Sequence, residues 1–163
     1  MSGMAIDRIR GLGPIFRSRE AVAAGVSWRD LYALRDDGQI LELSRGLFQL
    51  AESAGLGNID FVTVCARAPN GMIAMESALS YWDLTDVIPA VVHVAVPEGS
   101  HRPAIDHPPT IVHVFRAATF DLGRIEIRGT GGERFRITDR ERTIVDAFRL
   151  RHIVGENAAH PAL

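Results

Sequence analysis

The chain has 163 residues, of which 47% are hydrophobic and 23% charged, as in a soluble protein with one ordinary domain or two small ones. Its net charge is −2, and all 18 basic residues are arginine, so any side-chain cation that holds a phosphate is a guanidinium. The chain has no apolar run long enough to span a membrane and no apolar signal segment, which predicts a cytoplasmic protein.

One cysteine, Cys65, excludes an internal disulfide and any metal site built from several cysteines. It lies in the apolar stretch of residues 61–66. We therefore expect a buried and chemically inert thiol.

Three short helices are predicted at the N-terminus. The first covers residues 6–12 and ends at the glycines and proline that follow. The second covers residues 18–24, and Gly25 ends it. The third covers residues 28–37, with Ser27 as its N-cap and Gly38 after its last turn. Two short helices separated by a tight glycine turn indicate a helix-turn-helix.

The third predicted helix has two distinct faces. Leu31 and Leu34 are three residues apart and should point into the core. The opposite face then carries Trp28, Arg29, Tyr32 and Arg35. Ten helical residues span ~15 Å, enough to cross a major groove ~12 Å wide. Exposed aromatic side chains beside arginines favour a contact surface over a solvated one.

Two strands follow, at residues 39–43 and 47–50, and Ser44, Arg45 and Gly46 join them as a tight hairpin. Three helices followed by a hairpin is the order of a winged helix, with Arg45 at the tip of the wing. The sequence therefore predicts a winged helix-turn-helix domain over residues 1–51.

A second domain of mixed α and β structure is predicted over residues 58–152, after a small and polar linker at 52–58, with a tail at 153–163. Its predicted helices and strands cover residues 59–68, 75–84, 91–96, 111–115, 125–128, 135–137 and a last helix to about 151. In the last helix we expect Ile144, Val145 and Phe148 to be buried, and Asp146 and Arg142 to be surface charges. The predicted fold class is α+β.

Several stretches of the chain are similar to the AbiEi family of antitoxins and transcriptional regulators of type IV toxin–antitoxin systems. They are residues 18–27, 38–48, 77–82, 92–97 and 137–146. The resemblance implies a winged helix that represses its own promoter. It also implies a C-terminal domain that counteracts a nucleotidyltransferase-like toxin without stably binding it. The third helix departs from the family pattern, which is often rich in arginine after the serine cap.

Eight residues are predicted to contact double-stranded promoter DNA. Those near the start of the third helix should approach base edges, and the arginines around them should hold phosphates. The base-edge set is Ser27, Trp28, Arg29 and Tyr32, and the phosphate set is Arg17, Arg19, Arg35 and Arg45. Alternatively, Trp28 and Tyr32 pack against the second domain, and Arg17 and Arg19 are an ordinary solvated helix end.

About four phosphate contacts on a slightly acidic molecule predict weak binding by one copy at physiological salt. We therefore expect two copies on a repeated or inverted site, through a homodimer or cooperative binding. Equal, tight binding to a half-site and to the full upstream region would contradict this hypothesis.

The sequence predicts no catalysis, cofactor or metal site. His93 and His113 lie in apolar strands and would be neighbours if those strands pair, but their spacing is not a known zinc signature. A nuclease related to winged helix proteins is an alternative, yet the usual lysine beside clustered acids is missing. A second alternative is a protein-binding module that uses Trp28 and Tyr32, whose contacts would depend less steeply on salt than DNA binding.

Overall fold

The computed structural model describes residues 2–53, 58–129 and 132–150. The chain divides into two compact units, one of Met1–Ile59 with Arg128–Glu133 and one of Asp60–Ile127 with Arg134–Leu163. Within the described ranges there are six α-helices and two β-sheets, so the predicted α+β class is confirmed. Most of the predicted linker and the whole predicted tail at 153–163 lie outside the described residues.

The first unit has the element order of a winged helix-turn-helix. Its elements are α1 (Ser2–Arg10), β1 (Ile15–Arg17), α2 (Ser18–Ala23), α3 (Trp28–Asp36), β2 (Ile40–Ser44) and β3 (Leu47–Leu50). The strands form an antiparallel sheet in the order β1-β3-β2, with β2 and β3 as the wing. A 3-10 turn at Ala51–Ser53 follows.

The core of the first unit forms where the three helices meet the sheet. Leu31 and Leu34 are fully buried, which confirms the predicted inner face of α3. They pack with Ile9 of α1 in a cluster that also contains Phe16 and Phe48, whose stacked rings lie 5.8 Å apart. Burying these side chains removes apolar surface from water and fixes the direction in which α3 faces outward.

Strand β1 was not predicted from the sequence. It has only three residues, and its register pairs Phe16 with Phe48 and Arg17 with Leu47. Such a short strand has too few residues to show an alternating pattern, and its partner lies about thirty positions later in the chain. The pairing places Arg17 directly beside the wing.

The second unit builds a five-stranded sheet. Its elements are α4 (Ile59–Arg67), β4 (Met72–Ile73), α5 (Met75–Tyr81), β5 (Val92–Pro97), β6 (Thr110–Phe115), β7 (Arg124–Arg128), β8 (Arg134–Thr138) and α6 (Arg140–Arg149), with a 3-10 turn at Ala117–Thr119. The strand order is β6-β5-β4-β8-β7. Strand β5 is parallel to β6 and antiparallel to β4, and β4 is parallel to β8.

The centre of this sheet is the two-residue strand β4, which the sequence analysis missed. Ile73 pairs with Val94 on one side and with Ile137 on the other. Met72 and Ile73 are fully buried, and Met72 belongs to a cluster with Leu79 of α5 and Ala147 of α6. The helices α5 and α6 therefore cover a sheet that long-range pairing holds together.

Helix α6 corrects two predictions. Asp139 is its N-cap, as expected, since its side chain accepts a hydrogen bond from the Arg142 backbone N–H. Val145, however, is 51% exposed, whereas Thr143, Asp146 and Ala147 are buried. The prediction that Asp146 and Arg142 are surface charges was wrong, because the two side chains pair with each other.

Cys65 is buried in α4, and burial raises the pKa of its thiol. A protonated, inaccessible sulfur is a poor nucleophile, which agrees with the expected inert cysteine. Among the described residues, no helix is both long and apolar enough to cross a membrane.

Candidate nucleic-acid interface

The N-terminus of α3 is fixed by its cap. Ser27 has extended backbone geometry, and its Oγ accepts a hydrogen bond from the backbone N–H of Asp30 at 3.1 Å. The Ser27 hydroxyl oxygen thus caps the helix, while the residue itself is exposed. Trp28 and Arg29 follow in the first turn, where a recognition helix presents side chains to base edges.

A residue that the sequence analysis did not single out holds the turn before α3. Arg8 of α1 donates from Nη1 to the Gly25 carbonyl oxygen at 2.7 Å. Gly25 has φ +89°, a conformation that side chains disfavour, and its carbonyl would otherwise be an unpaired group at the end of α2. The bond therefore ties the turn between α2 and α3 to α1. Arg8 occupies an exposed position of α1, and the residues around it in the sequence gave no signal of this role.

Three side chains form an outward surface on α3, which we call the aromatic face: Trp28, Tyr32 and Arg35. Trp28 is 50% exposed and Tyr32 is 42% exposed. Their ring centroids lie 5.9 Å apart, and the Arg35 guanidinium lies 4.7 Å from the centre of the Tyr32 ring. The contacts between neighbouring turns restrict the rotamers of both rings, so the surface is ordered in advance.

Arg35 is itself anchored. Its Nη1 donates to Glu42 of β2 at 3.3 Å, and Nε and Nη2 donate to Asp36, also at 3.3 Å. Glu42 also accepts a hydrogen bond from the Gly46 backbone N–H at 3.4 Å. This carboxylate therefore connects the aromatic face with the wing. The sequence did not reveal it, because the contact depends on how β2 lies beside α3.

The wing turn lies next to the start of α2. The Ser18 backbone N–H donates to the Gly46 carbonyl oxygen at 2.9 Å, and Gly46 has φ +75°. Arg45 is exposed immediately before that glycine, Arg17 immediately precedes Ser18, and Arg19 is exposed immediately after it. We call Arg17, Arg19 and Arg45 the wing arginines, and this hydrogen bond draws their backbones together.

All eight predicted DNA-contacting residues lie in the first unit. Six of them are exposed, and Arg17 and Arg35 are partly exposed. Five belong to α3 and its cap, and three are the wing arginines. Which of them touches DNA stays a prediction.

The two histidines of the second unit are neighbours, as expected if their strands pair. The parallel register places His93 opposite Ile111 and Ala95 opposite His113, so the imidazoles meet diagonally on one face. His93 Nδ1 lies 2.9 Å from His113 Nε2, and His93 Nε2 lies 3.5 Å from Glu76 Oε2. The Glu76 carboxylate meets the ring nitrogen of His93 that points away from His113. Only His93 Nδ1 and His113 Nε2 therefore approach a common point. No group of three metal-ligating side chains occurs within the described part of the chain.

This histidine pair predicts a pH dependence of stability. Burial, His93 and Arg102 lower the pKa of His113 to about 4, and burial also lowers the pKa of His93. An unfolded histidine titrates near ~6.5, so between about pH 6.5 and pH 4 the unfolded chain binds more protons than the folded chain. The free energy of unfolding therefore decreases as the pH is lowered through this range. In thermal melts from pH 7 to pH 4.5, His113→Asn should lose melting temperature less steeply than wild type. The exposed His101→Asn is the matched control, and parallel curves for wild type and His113→Asn would contradict the prediction.

Comparison with known proteins confirms the resemblance for the first unit. Residues 4–51 match a family model described as a transcriptional regulator, AbiEi antitoxin. That match supports a role as a transcriptional regulator or antitoxin. Members of the matched family are typically not enzymes. No functionally curated protein matches the chain in sequence.

One similar solved structure is the crystal structure of the RV2827C protein from Mycobacterium tuberculosis. It has a TM-score of 0.55 and 17% sequence identity, with 90% of this chain aligned. The aligned region is 57% of the length of that protein. At this identity the likeness concerns the fold alone.

Proposed function

We propose, from the AbiEi antitoxin match over residues 4–51, that this protein binds double-stranded promoter DNA through its winged helix and represses its own promoter. Helix α3 enters the major groove with its first turn toward the bases. The wing arginines contact the phosphate backbone beside the groove. The predicted second domain, residues 58–152, which includes most of the second unit, carries the antitoxin activity against a nucleotidyltransferase-like toxin.

The observation that carries this proposal is the orientation of α3. Leu31 and Leu34 are buried, so the opposite side, with Trp28, Arg29 and Tyr32, faces outward in the first unit. Its nine residues are ~14 Å long, close to the width of a major groove. The hydrogen bond from the Ser18 backbone N–H to the Gly46 carbonyl oxygen brings the backbones of the wing arginines together, which supports a phosphate contact at the wing.

The charges also support binding by two copies on one operator. The proposed phosphate contacts are few: the three wing arginines, and Arg35, whose guanidinium pairs with Glu42 and Asp36. On a chain with net charge −2, so few phosphate contacts give weak binding by one copy. Repression then requires two copies on one operator, as a homodimer or by cooperative binding.

A salt titration tests the DNA-binding proposal. With three phosphate contacts, log Kobs should fall with log[salt] with a slope of about −2.7 per copy, which is roughly a 40-fold loss between 50 and 200 mM salt. Fluorescence anisotropy on a labelled duplex from the region upstream of the coding sequence measures this slope. An unrelated duplex of equal length is the control, and equal affinity for both duplexes at 200 mM salt would contradict a specific regulator.

A protein-binding winged helix is the second candidate, and the half-exposed rings of Trp28 and Tyr32 favour it. Tryptophan and tyrosine are enriched at the centres of protein interfaces. A contact centred on these rings would change little with salt, so the same titration separates the two functions.

The antitoxin proposal has an independent test in cells. If a neighbouring gene encodes a nucleotidyltransferase-like toxin, co-expression of this chain should restore growth that the toxin arrests. The variant Arg29→Ala should restore growth equally well, because the antitoxin activity is assigned to the second unit. Continued arrest with the wild-type chain would remove the antitoxin half of the proposal and leave DNA binding intact.

A further inference from the structure

We propose that the aromatic face reads thymine, through contact of the Trp28 ring with the 5-methyl group of a thymine in the major groove. This inference rests on the proposed function, since it requires α3 to lie in a DNA groove. It goes further by naming the base that this chain selects. Trp28 is the first residue of α3 and half of its surface is exposed, so a large apolar ring stands where base edges are read.

The base edges in the major groove offer one kind of apolar group that such a ring can contact. Among the four bases, thymine alone presents a methyl group in the major groove, and its neighbour on the same edge is the O4 acceptor. A tryptophan offers an apolar ring and a single N–H donor. Cytosine at the same place would present an amino donor, which an indole cannot accept and which would lose its water without replacement.

The surroundings of Trp28 hold the ring for this contact. Tyr32 packs beside it on the next turn, and the Arg35 guanidinium lies over the Tyr32 ring and pairs with Glu42. A side chain whose rotamer is restricted before binding loses less conformational entropy when it meets its target. Trp28 is therefore the specificity residue, and Tyr32 and Arg35 are positioning residues.

Uracil-substituted DNA tests the inference, because uracil is thymine without the methyl group. A binding sequence is first selected with wild-type protein from a pool of random 20-base-pair duplexes, and each thymine is then replaced singly by deoxyuridine. For wild type, Kd should rise about threefold to fourfold at one or two positions, the change that corresponds to ~0.8 kcal/mol for one buried methyl. Cytosine at those positions should bind worse than thymine, and 5-methylcytosine should recover part of the loss.

Variants at the ring identify the side chain that reads the methyl group. Trp28→Ala should bind the thymine and uracil duplexes equally, whereas Trp28→Phe should keep most of the difference because it keeps an apolar ring. Melting temperatures of both variants check that the first unit still folds, which is expected since Trp28 is half exposed.

Two results would overturn the inference: no effect of uracil at any position in wild type, or an equal uracil effect in Trp28→Ala. If no duplex is enriched from the random pool, the proposed DNA-binding function itself is wrong, which is a distinct outcome.

Discussion

Replacement of Arg29 by alanine is expected to weaken binding of the selected DNA by about 1–3 kcal/mol, a roughly 5- to 150-fold rise in Kd. Arg29 is the second residue of α3 and is exposed, and within the described residues it makes no hydrogen bond or ion pair. An arginine in that position can donate two hydrogen bonds to O6 and N7 of a guanine. Anisotropy titrations on the selected duplex measure the loss.

The matched variant Arg29→Lys separates base reading from charge. Lysine keeps the positive charge but lacks the planar fork, so it should recover nonspecific affinity without recovering discrimination against a changed guanine. Full recovery by lysine would mean that Arg29 holds a phosphate instead of a base.

Arg45→Ala should affect DNA binding differently from Arg29→Ala, although both variants remove one positive charge. As a phosphate contact at the wing, it should weaken all duplexes to a similar extent and lower the salt slope by about 0.9. Arg116→Ala, which removes an exposed arginine of the second unit, should change neither quantity appreciably. Equal binding by wild type, Arg29→Ala and Arg45→Ala would remove DNA recognition from this surface.

Local signals in the sequence were sufficient to predict α3 and its orientation. Ser27 marks the start of the helix, Gly38 follows its end, and two leucines three residues apart mark the inner side. These signals operate within one or two helical turns, so no tertiary contact was needed to read them. The wing was predictable for the same reason, because a short turn fixes the pairing of the strands on either side.

The elements that the sequence did not reveal depend on distant parts of the chain. Strand β4 has two residues, and its place at the centre of the sheet comes from pairing with Val94 and Ile137. The anchor of the aromatic face depends on Glu42, which approaches Arg35 only after β2 has folded back against α3. Neither contact leaves a periodic pattern in the residues around it.

The last helix shows a different limit of sequence reasoning. Charged residues are usually solvated, so hydrophobicity alone assigned Asp146 to the surface and Val145 to the core. In the structure the carboxylate of Asp146 is 5% exposed and the Arg142 side chain 12% exposed, and the two groups bond at 2.9 Å. A pair of opposite charges one turn apart can enter a core together, and the helical pattern does not distinguish this case from a surface pair.

Asp146→Ala is expected to destabilise the second unit by about 3 kcal/mol, because it leaves a largely buried guanidinium without its counter-charge. Arg142 donates from Nε to both carboxylate oxygens of Asp146 and from Nη1 to the Thr119 carbonyl oxygen at 2.9 Å. Its guanidinium also lies 5.8 Å from the centre of the Phe115 ring. The arginine therefore cannot turn out to solvent without losing the contacts that hold α6 against the turn before β7.

Urea unfolding measures this effect through Trp82, whose indole N–H donates to the Thr138 carbonyl oxygen at 2.9 Å within the second unit. The chain has two tryptophans, so a Trp28→Phe background leaves Trp82 as the sole reporter. Glu141→Ala, at an exposed position of the same helix, is the control and should change the free energy of unfolding by no more than about 0.5 kcal/mol.

The double variant Arg142→Met, Asp146→Leu separates the cost of a broken pair from the net contribution of the pair. Burial raises the pKa of Asp146 despite the neighbouring guanidinium, so the carboxylate is not fully compensated for the water that it loses. Two apolar side chains of similar volume should therefore restore most of the stability that Asp146→Ala removes. If the double variant is as unstable as the single one, the hydrogen bonds from Arg142 to backbone carbonyls, and not the ion pair, hold this helix in place.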